Sequence, residues 1–147
     1  MVRARALKLL ARREHSATEL AHKLRARDCG PEVVWQVLGE LQAEGLQSDA
    51  RFAELYTQQR ADKGYGPLRI AQELGQRGVD TELAGELLAQ FADEWPERLA
   101  AVHRRKFGAS VPRDMHERGR RARFLQQRGF SSEQVRALFR MLERGTK

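Results

Sequence analysis

The chain has 147 residues, 41% hydrophobic and 32% charged, with a formal net charge of +7. No apolar run approaches the ~20 residues of a membrane-spanning helix, and the basic N-terminal segment lacks the hydrophobic stretch of a signal peptide, so neither a membrane nor a secreted protein is expected. The single cysteine, Cys29, excludes an internal disulfide framework, and a soluble cytoplasmic protein is the class that remains.

Every periodic segment reads as helix, and none alternates as a strand. Residues 3–13 predict a first helix with Leu7 and Leu10 on a common face. Ser16-x-x-Glu19 is a capping box for a second, which presents Leu20 and Leu24 at i, i+4. Gly30-Pro31 restarts the chain into a third, with Val34, Val37, Leu38 and Leu41 as its apolar stripe and Gly45 as its stop. Asp49 is placed to cap a fourth helix carrying Phe52, Leu55 and Tyr56. The break at Gly64-Tyr65-Gly66-Pro67 opens a fifth, holding Ile70 and Leu74. Gly78 ends it, and Asp80 or Thr81 caps a sixth. Trp95-Pro96 starts a seventh, with Leu99, Val102 and Phe107 on one side. A looser stretch from Gly108 to Asp114 precedes an eighth helix through Leu125, stopped at Gly129. Ser131-x-x-Gln134 caps a ninth, which runs to about Glu143.

These elements repeat with a period of about 50 residues. Leu24, Leu74 and Leu125 begin the same phrase, which continues to Arg27, Arg77 and Arg128 and then to Cys29, Val79 and Phe130. Ala21, Ala71 and Ala122 precede it, and Glu32, Glu82 and Glu133 follow. Apolar residues then recur at Val37/Leu38/Leu41, Leu87/Leu88/Phe91 and Leu138/Phe139/Leu142. The expected fold is therefore all-α: three tandem three-helix repeats, residues 1–46, 47–93 and 94–147. A single unit of this size would be only marginally stable alone, so stacking would help each repeat persist.

Charge is uneven along the chain. Residues 1–48 carry 8 basic and 6 acidic side chains, residues 49–94 carry 5 and 9, and residues 95–147 carry 14 and 5. The net charges are +2, −4 and +9, so the C-terminal third suits a polyanion or a protein of complementary charge.

Catalytic chemistry finds no support. His15, His22, His103 and His116 form no HExxH pair, Cys29 has no second cysteine for a zinc site, and Gly64-Tyr65-Gly66 lacks the third glycine and preceding strand of a dinucleotide loop. Neither an enzyme, a metal nor a cofactor is expected. The candidate binding residues are Arg104, Arg105, Lys106, Arg113, Arg118, Arg120, Arg121 and Arg123, whose contacts with phosphates would release counterions. In the repeat register Arg121 falls where Leu20 and Ile70 stand, with Phe124 as a substitute apolar contact. Arg27, Arg77 and Arg128 precede helix stops, where a cation favours the end of the helix dipole. Trp35 matches Gly85 and Arg136, and is read as packing between repeats or anchoring a partner. Tyr65, in a glycine-bounded turn, either stacks on a base or partner or leans back on the helix ends.

Four stretches in order carry a resemblance: Leu10-Ala-Arg-Arg-Glu-His-Ser16-x-x-Glu19-Leu20, Leu46-Gln-Ser-Asp49-x-Arg51-Phe52-Ala53, Gly64-Tyr-Gly66-x-x-x-Ile70-x-x-x-Leu74-x-x-Arg77-Gly78-Val79, and Phe124-Leu125-x-x-Arg128-Gly129-Phe130. The chain resembles the RecX family, bacterial regulators of the RecA recombinase. It departs at Asp28-Cys29-Gly30, where a glycine-containing helix end is more typical, and at Ser48, where an acidic residue is common. The resemblance implies an elongated, curved array that binds the RecA–single-stranded DNA filament along its groove and inhibits recombinase, ATPase and co-protease activities. Direct contact with single-stranded DNA and a monomeric state are expected with it. The rival reading is a stand-alone nucleic-acid-binding protein, because three-helix units resemble helix-turn-helix modules.

Overall fold

A computed structural model describes residues 1–25 and 30–145. These residues form nine α-helices and no strand: α1 (Val2–Arg12), α2 (Ala17–Arg25), α3 (Pro31–Ala43), α4 (Asp49–Asp62), α5 (Pro67–Gln76), α6 (Thr81–Gln90), α7 (Trp95–Phe107), α8 (Met115–Gln127) and α9 (Ser132–Gly145). The expectations for Arg27, Asp28 and Cys29 lie outside the described residues. The chain divides into two compact units, one of residues 1–56 and 73–87, the other of residues 57–72 and 88–147. Residues of α4, α5 and α6 thus belong partly to each.

The first unit is built on Leu20, Leu24, Val34, Leu38 and Leu41, all fully buried. Each such leucine stabilises the fold by about 1.5–3 kcal/mol relative to an exposed one. α1 meets this core through Ala6 rather than through the expected Leu7/Leu10 stripe; Leu7 is exposed, while Val2, Leu9 and Leu10 pack at the margin. Alanine at the centre of that face admits close approach of the helix backbone.

The Ser16/Glu19 capping box forms as its spacing requires: Ser16 Oγ accepts from Glu19 N and Glu19 Oε1 from Ser16 N, both at 3.1 Å. At α4 the cap is Ser48, whose Oγ accepts from Arg51 N at 3.1 Å, and not Asp49. Asp49 lies one residue inside, where its Oδ1 accepts instead from Ala17 N and from Gln47 Nε2. Asp80 caps α6 by accepting from Glu82 N and Leu83 N.

The second unit gathers Leu99, Leu125, Phe130, Val135, Leu138 and Phe139. Trp95 is buried, stacks on Phe91 with centroids 5.7 Å apart and donates from Nε1 to Leu88 O. The predicted Ser131/Gln134 box forms in both directions, at 2.8 and 3.0 Å.

The recurring Arg-Gly pairs mark a joint that the two units contain once each. In the first unit Ser16 Oγ donates to Arg77 O at 2.7 Å, and a Cβ on Gly78 would collide with the Thr18 side chain. In the second, Gly66 N donates to Arg128 O at 2.8 Å and Leu68 N to Gly129 O at 2.9 Å. Ser16 and Gly66 occupy one register position, as do Arg77 and Arg128. In the second joint the carbonyls that end α8 satisfy the amides that begin α5, a head-to-tail meeting of helix dipoles. A Cβ on Gly66 would lie 2.6 Å from the Gly129 carbonyl, so the approach requires glycine.

Candidate partner interface

Two helices of the second unit present most of the predicted cations. Arg104, Arg105 and Lys106 fill the last turn of α7, where the helix dipole favours positive charge, and all three are exposed. Asp114 caps α8 by accepting from Glu117 N at 2.8 Å, while Arg113 N donates back to Glu117 Oε2. Arg120 and Arg123 project from α8, exposed. Arg104, Arg105, Lys106, Arg120 and Arg123 make no ion pair among the described residues, so their charge faces solvent. Arg113 is tied to Glu117 at 2.9 Å and Arg118 to Glu143 at 3.1 Å, and Arg118 also covers the Phe139 ring. These two arginines hold the surface together rather than projecting freely from it.

Arg121 leaves the predicted set. It is 3% exposed, at the register position of the fully buried Leu20 and Ile70. Its guanidinium bonds Glu117, donates to Ser110 O at 2.7 Å and to His103 Nε2 at 3.1 Å, and lies over the Phe107 ring. A buried cation survives only when paired and hydrogen-bonded, and this network supplies both conditions. Arginine has donors only, so His103 Nε2 accepts and the imidazole is neutral. Burial, followed by the Arg121 charge, holds His103 below the usual histidine range. Hydrogen bonds from Arg113 and Arg121 pull the Glu117 carboxyl down to about 2.

Trp35 stands 44% exposed on α3, and its register partners Gly85 and Arg136 are exposed too. The position is therefore exposed in all three repeats. Tyr65 is half-buried, with guanidinium carbons of Arg60, Arg128 and Arg69 over its ring at 3.9, 4.3 and 4.4 Å. The ring is thereby covered by cations, not presented to a base. Sequence reasoning missed Arg60 and Arg69 as surface residues of interest. Arg128 carried a signal as a recurring residue, but helix termination accounted for it alone; its side chain instead donates to Lys63 O at 2.8 Å and Gly64 O at 3.3 Å.

Among the described residues, no group of three His, Cys, Asp or Glu side chains is placed to hold a metal ion, and no helix is long and apolar enough to cross a membrane.

Fold and surface together define a tandem three-helix-domain protein with a basic final domain. Family models for the first, second and third three-helix domains of RecX match residues 3–41, 48–88 and 92–139. The regulatory protein RecX of Halorhodospira halophila is 50% identical over 136 residues, covering 92% of this chain and 84% of the relative. That of Pseudomonas fluorescens strain Pf-5 is 43% identical over 137 residues, covering 93% and 88%. The crystal structure of RecX from Lactobacillus salivarius shares the fold, with a TM-score of 0.84 at 20% identity, covering 97% of this chain and 94% of that one. The chain belongs to the RecX family of regulatory proteins.

Proposed function

We propose that this protein binds the RecA–single-stranded DNA filament and restrains it, inhibiting the recombinase, ATPase and co-protease activities and so modulating recombination, DNA repair and the SOS response. The observation that carries this reading is family membership through all three domains, at up to 50% identity over most of the chain. The exposed cations of α7 and α8 support it, since charge without an internal partner is available to an acidic protein surface or to phosphate. On this reading the protein is a non-enzymatic, cytoplasmic monomer, with repeats at residues 1–46, 47–93 and 94–147. Arg104, Arg105, Lys106, Arg120 and Arg123 form the contact surface, Arg113 and Arg118 flank it, and Trp35 is a second anchor.

Co-sedimentation tests the partner. The protein should pellet with preassembled RecA–DNA filaments at salt concentrations that already release it from naked single strands. Equal retention on both would favour the stand-alone nucleic-acid-binding reading.

A further inference from the structure

Where α7 meets α9, both within the second unit, an apolar cleft of about 90 Å³ opens at the surface. It lies between Pro96 and Leu99 of α7 and Gln134, Ala137, Leu138 and Met141 of α9. Leu99 and Leu138 are buried and form its floor, while Met141, 56% exposed, stands on its rim. Its polar side chain, Gln134, already accepts from Ser131 N in the cap of α9. Beside Ala137 and Met141, α9 carries Arg136, Arg140 and Arg144 at every fourth position, all exposed and without an ion pair among the described residues. Glu133, one turn before Arg136, leaves this row at a net +2 (three cations, one carboxylate).

The other repeats show that the fold does not require this surface. In register, Ala137 and Met141 stand where the first repeat has Gln36 and Glu40 and the second has Glu86 and Gln90, all four exposed. Arg136, Arg140 and Arg144 replace Trp35, Gly39 and Ala43 in the first repeat, and Gly85, Ala89 and Asp93 in the second. Equivalent helices thus form with a polar rim and without a cation row, and in α9 the apolar rim and the row occur together. We propose that the α7/α9 cleft and its arginine row are a docking site for an acidic protein segment, one that offers an apolar side chain flanked by carboxylates. The inference goes beyond the proposed regulatory function, which assigns nothing to α9, and does not depend on it.

The chemistry of the two parts selects this occupant. A cleft walled by proline, leucine, alanine and methionine favours an aliphatic group, which sugar and phosphate lack, so a nucleic-acid backbone answers the arginines and leaves the cleft empty. An uncharged apolar segment fills the cleft and leaves the arginines without anions. Residues four apart on a helix rise by about 6 Å. Carboxylates one turn apart on a partner helix share that spacing, and those on alternate residues of an extended segment, about 6.6 Å apart, come close to it. Guanidinium forks pair with carboxylates in a bidentate geometry. Met141 adds a flexible, polarizable rim that adjusts to the side chain it receives.

The test is titration of the nitrogen-15-labelled full-length protein with a short peptide in which one leucine is flanked on both sides by glutamates, followed by amide NMR shifts. Shifts should concentrate at Leu99, Ala137, Leu138 and Met141. They should vanish with a peptide carrying glycine for the leucine, and with one carrying lysines for the glutamates. A137E/M141Q, which installs the second repeat's residues at exposed positions, should weaken binding at least about tenfold. R136Q/R140Q/R144Q should weaken it about tenfold as well. The peptide controls use wild-type protein, so they decide the matter even if a variant unfolds. Absence of shifts at the cleft would overturn the proposal, as would equal shifts from the lysine-flanked peptide. Equal shifts at the same residues from an oligothymidylate would reassign the face to nucleic acid. Self-association of the protein alone that A137E/M141Q abolishes would overturn it too, making the occupant a second copy of this chain.

Discussion

Ser16 and Arg77, 61 positions apart, are joined by a 2.7 Å hydrogen bond from the serine hydroxyl to the arginine carbonyl. The same hydroxyl oxygen accepts from Glu19 N as the cap of α2, so one side chain both starts a helix and ties it to the end of α5. Ser131 also caps a helix, α9, through the equivalent box, but among the described residues it has no such second bond.

Ser131→Ala should therefore cost about 1 kcal/mol, the ordinary value for a cap, and Ser16→Ala about 2–3 kcal/mol, because a further buried hydrogen bond is lost. Urea unfolding of the two variants measures the difference. Equal losses would mean that the Ser16–Arg77 bond adds nothing to stability.

The second joint gives a sharper contrast between glycines. Gly129 has φ +108°, and a Cβ there would stand 2.5 Å from Arg69 Cβ and 2.9 Å from Gly66 O. Gly85, inside α6, has open space around it. Gly129→Ala should destabilise by about 2–4 kcal/mol, combining left-handed backbone strain with steric overlap. Gly85→Ala should stabilise by about 0.5–1 kcal/mol through helix propensity. Thermal or urea unfolding reads both signs.

Arg121 tests whether a charged residue can belong to the core. Arg121→Ala leaves Glu117 and His103 without a buried partner and should cost about 3–5 kcal/mol. Arg120→Ala and Arg123→Ala, on the exposed face of the same helix, should stay within about 0.5 kcal/mol of wild type. Parity among the three would return Arg121 to the surface.

His103 makes stability depend on pH. Its folded pKa is lowered, by burial first and by Arg121 second, so the unfolded chain binds the proton more readily. The stabilisation is full above the unfolded value of about 6.5 and is lost as pH falls through the folded value. Unfolding midpoints should drop from pH 7 to pH 5, and H103Q, whose amide oxygen can still accept from Arg121, should flatten that fall. The buried His15, also lowered chiefly by burial, keeps part of the slope in the variant. Below about pH 4.5 a second loss should follow as Glu117, held at about 2, takes up its proton.

The sequence carried the helices well because their signals are local. Capping boxes at Ser16 and Ser131, Pro67 at a helix start and glycines at the stops act within one turn, and all appear where their spacing placed them. The cap at α4 was misread as Asp49: Ser48 takes that role, and a bond from Ala17, 32 residues away, occupies the aspartate. Repeat register located the buried position of Arg121 but not its partners, since Ser110 and His103 sit on a loop and another helix. The exposure of Trp35 was readable from its equivalents: a site that accepts Gly85 and Arg136 is not core. The cluster at Tyr65 was not readable, because Arg128 approaches that turn from 63 residues away along the chain, and only the folded joint brings them together.

The central claim, that this RecX-family chain restrains RecA, is tested most directly by RecA's single-stranded-DNA-dependent ATP hydrolysis with the protein titrated in, beside a control for competition on DNA alone. Inhibition at well under one molecule per RecA, weakened when Arg104, Arg105 and Lys106 are all replaced by alanine with helix content intact, is the expected result. Unchanged ATP hydrolysis together with tight binding to naked DNA would contradict the account.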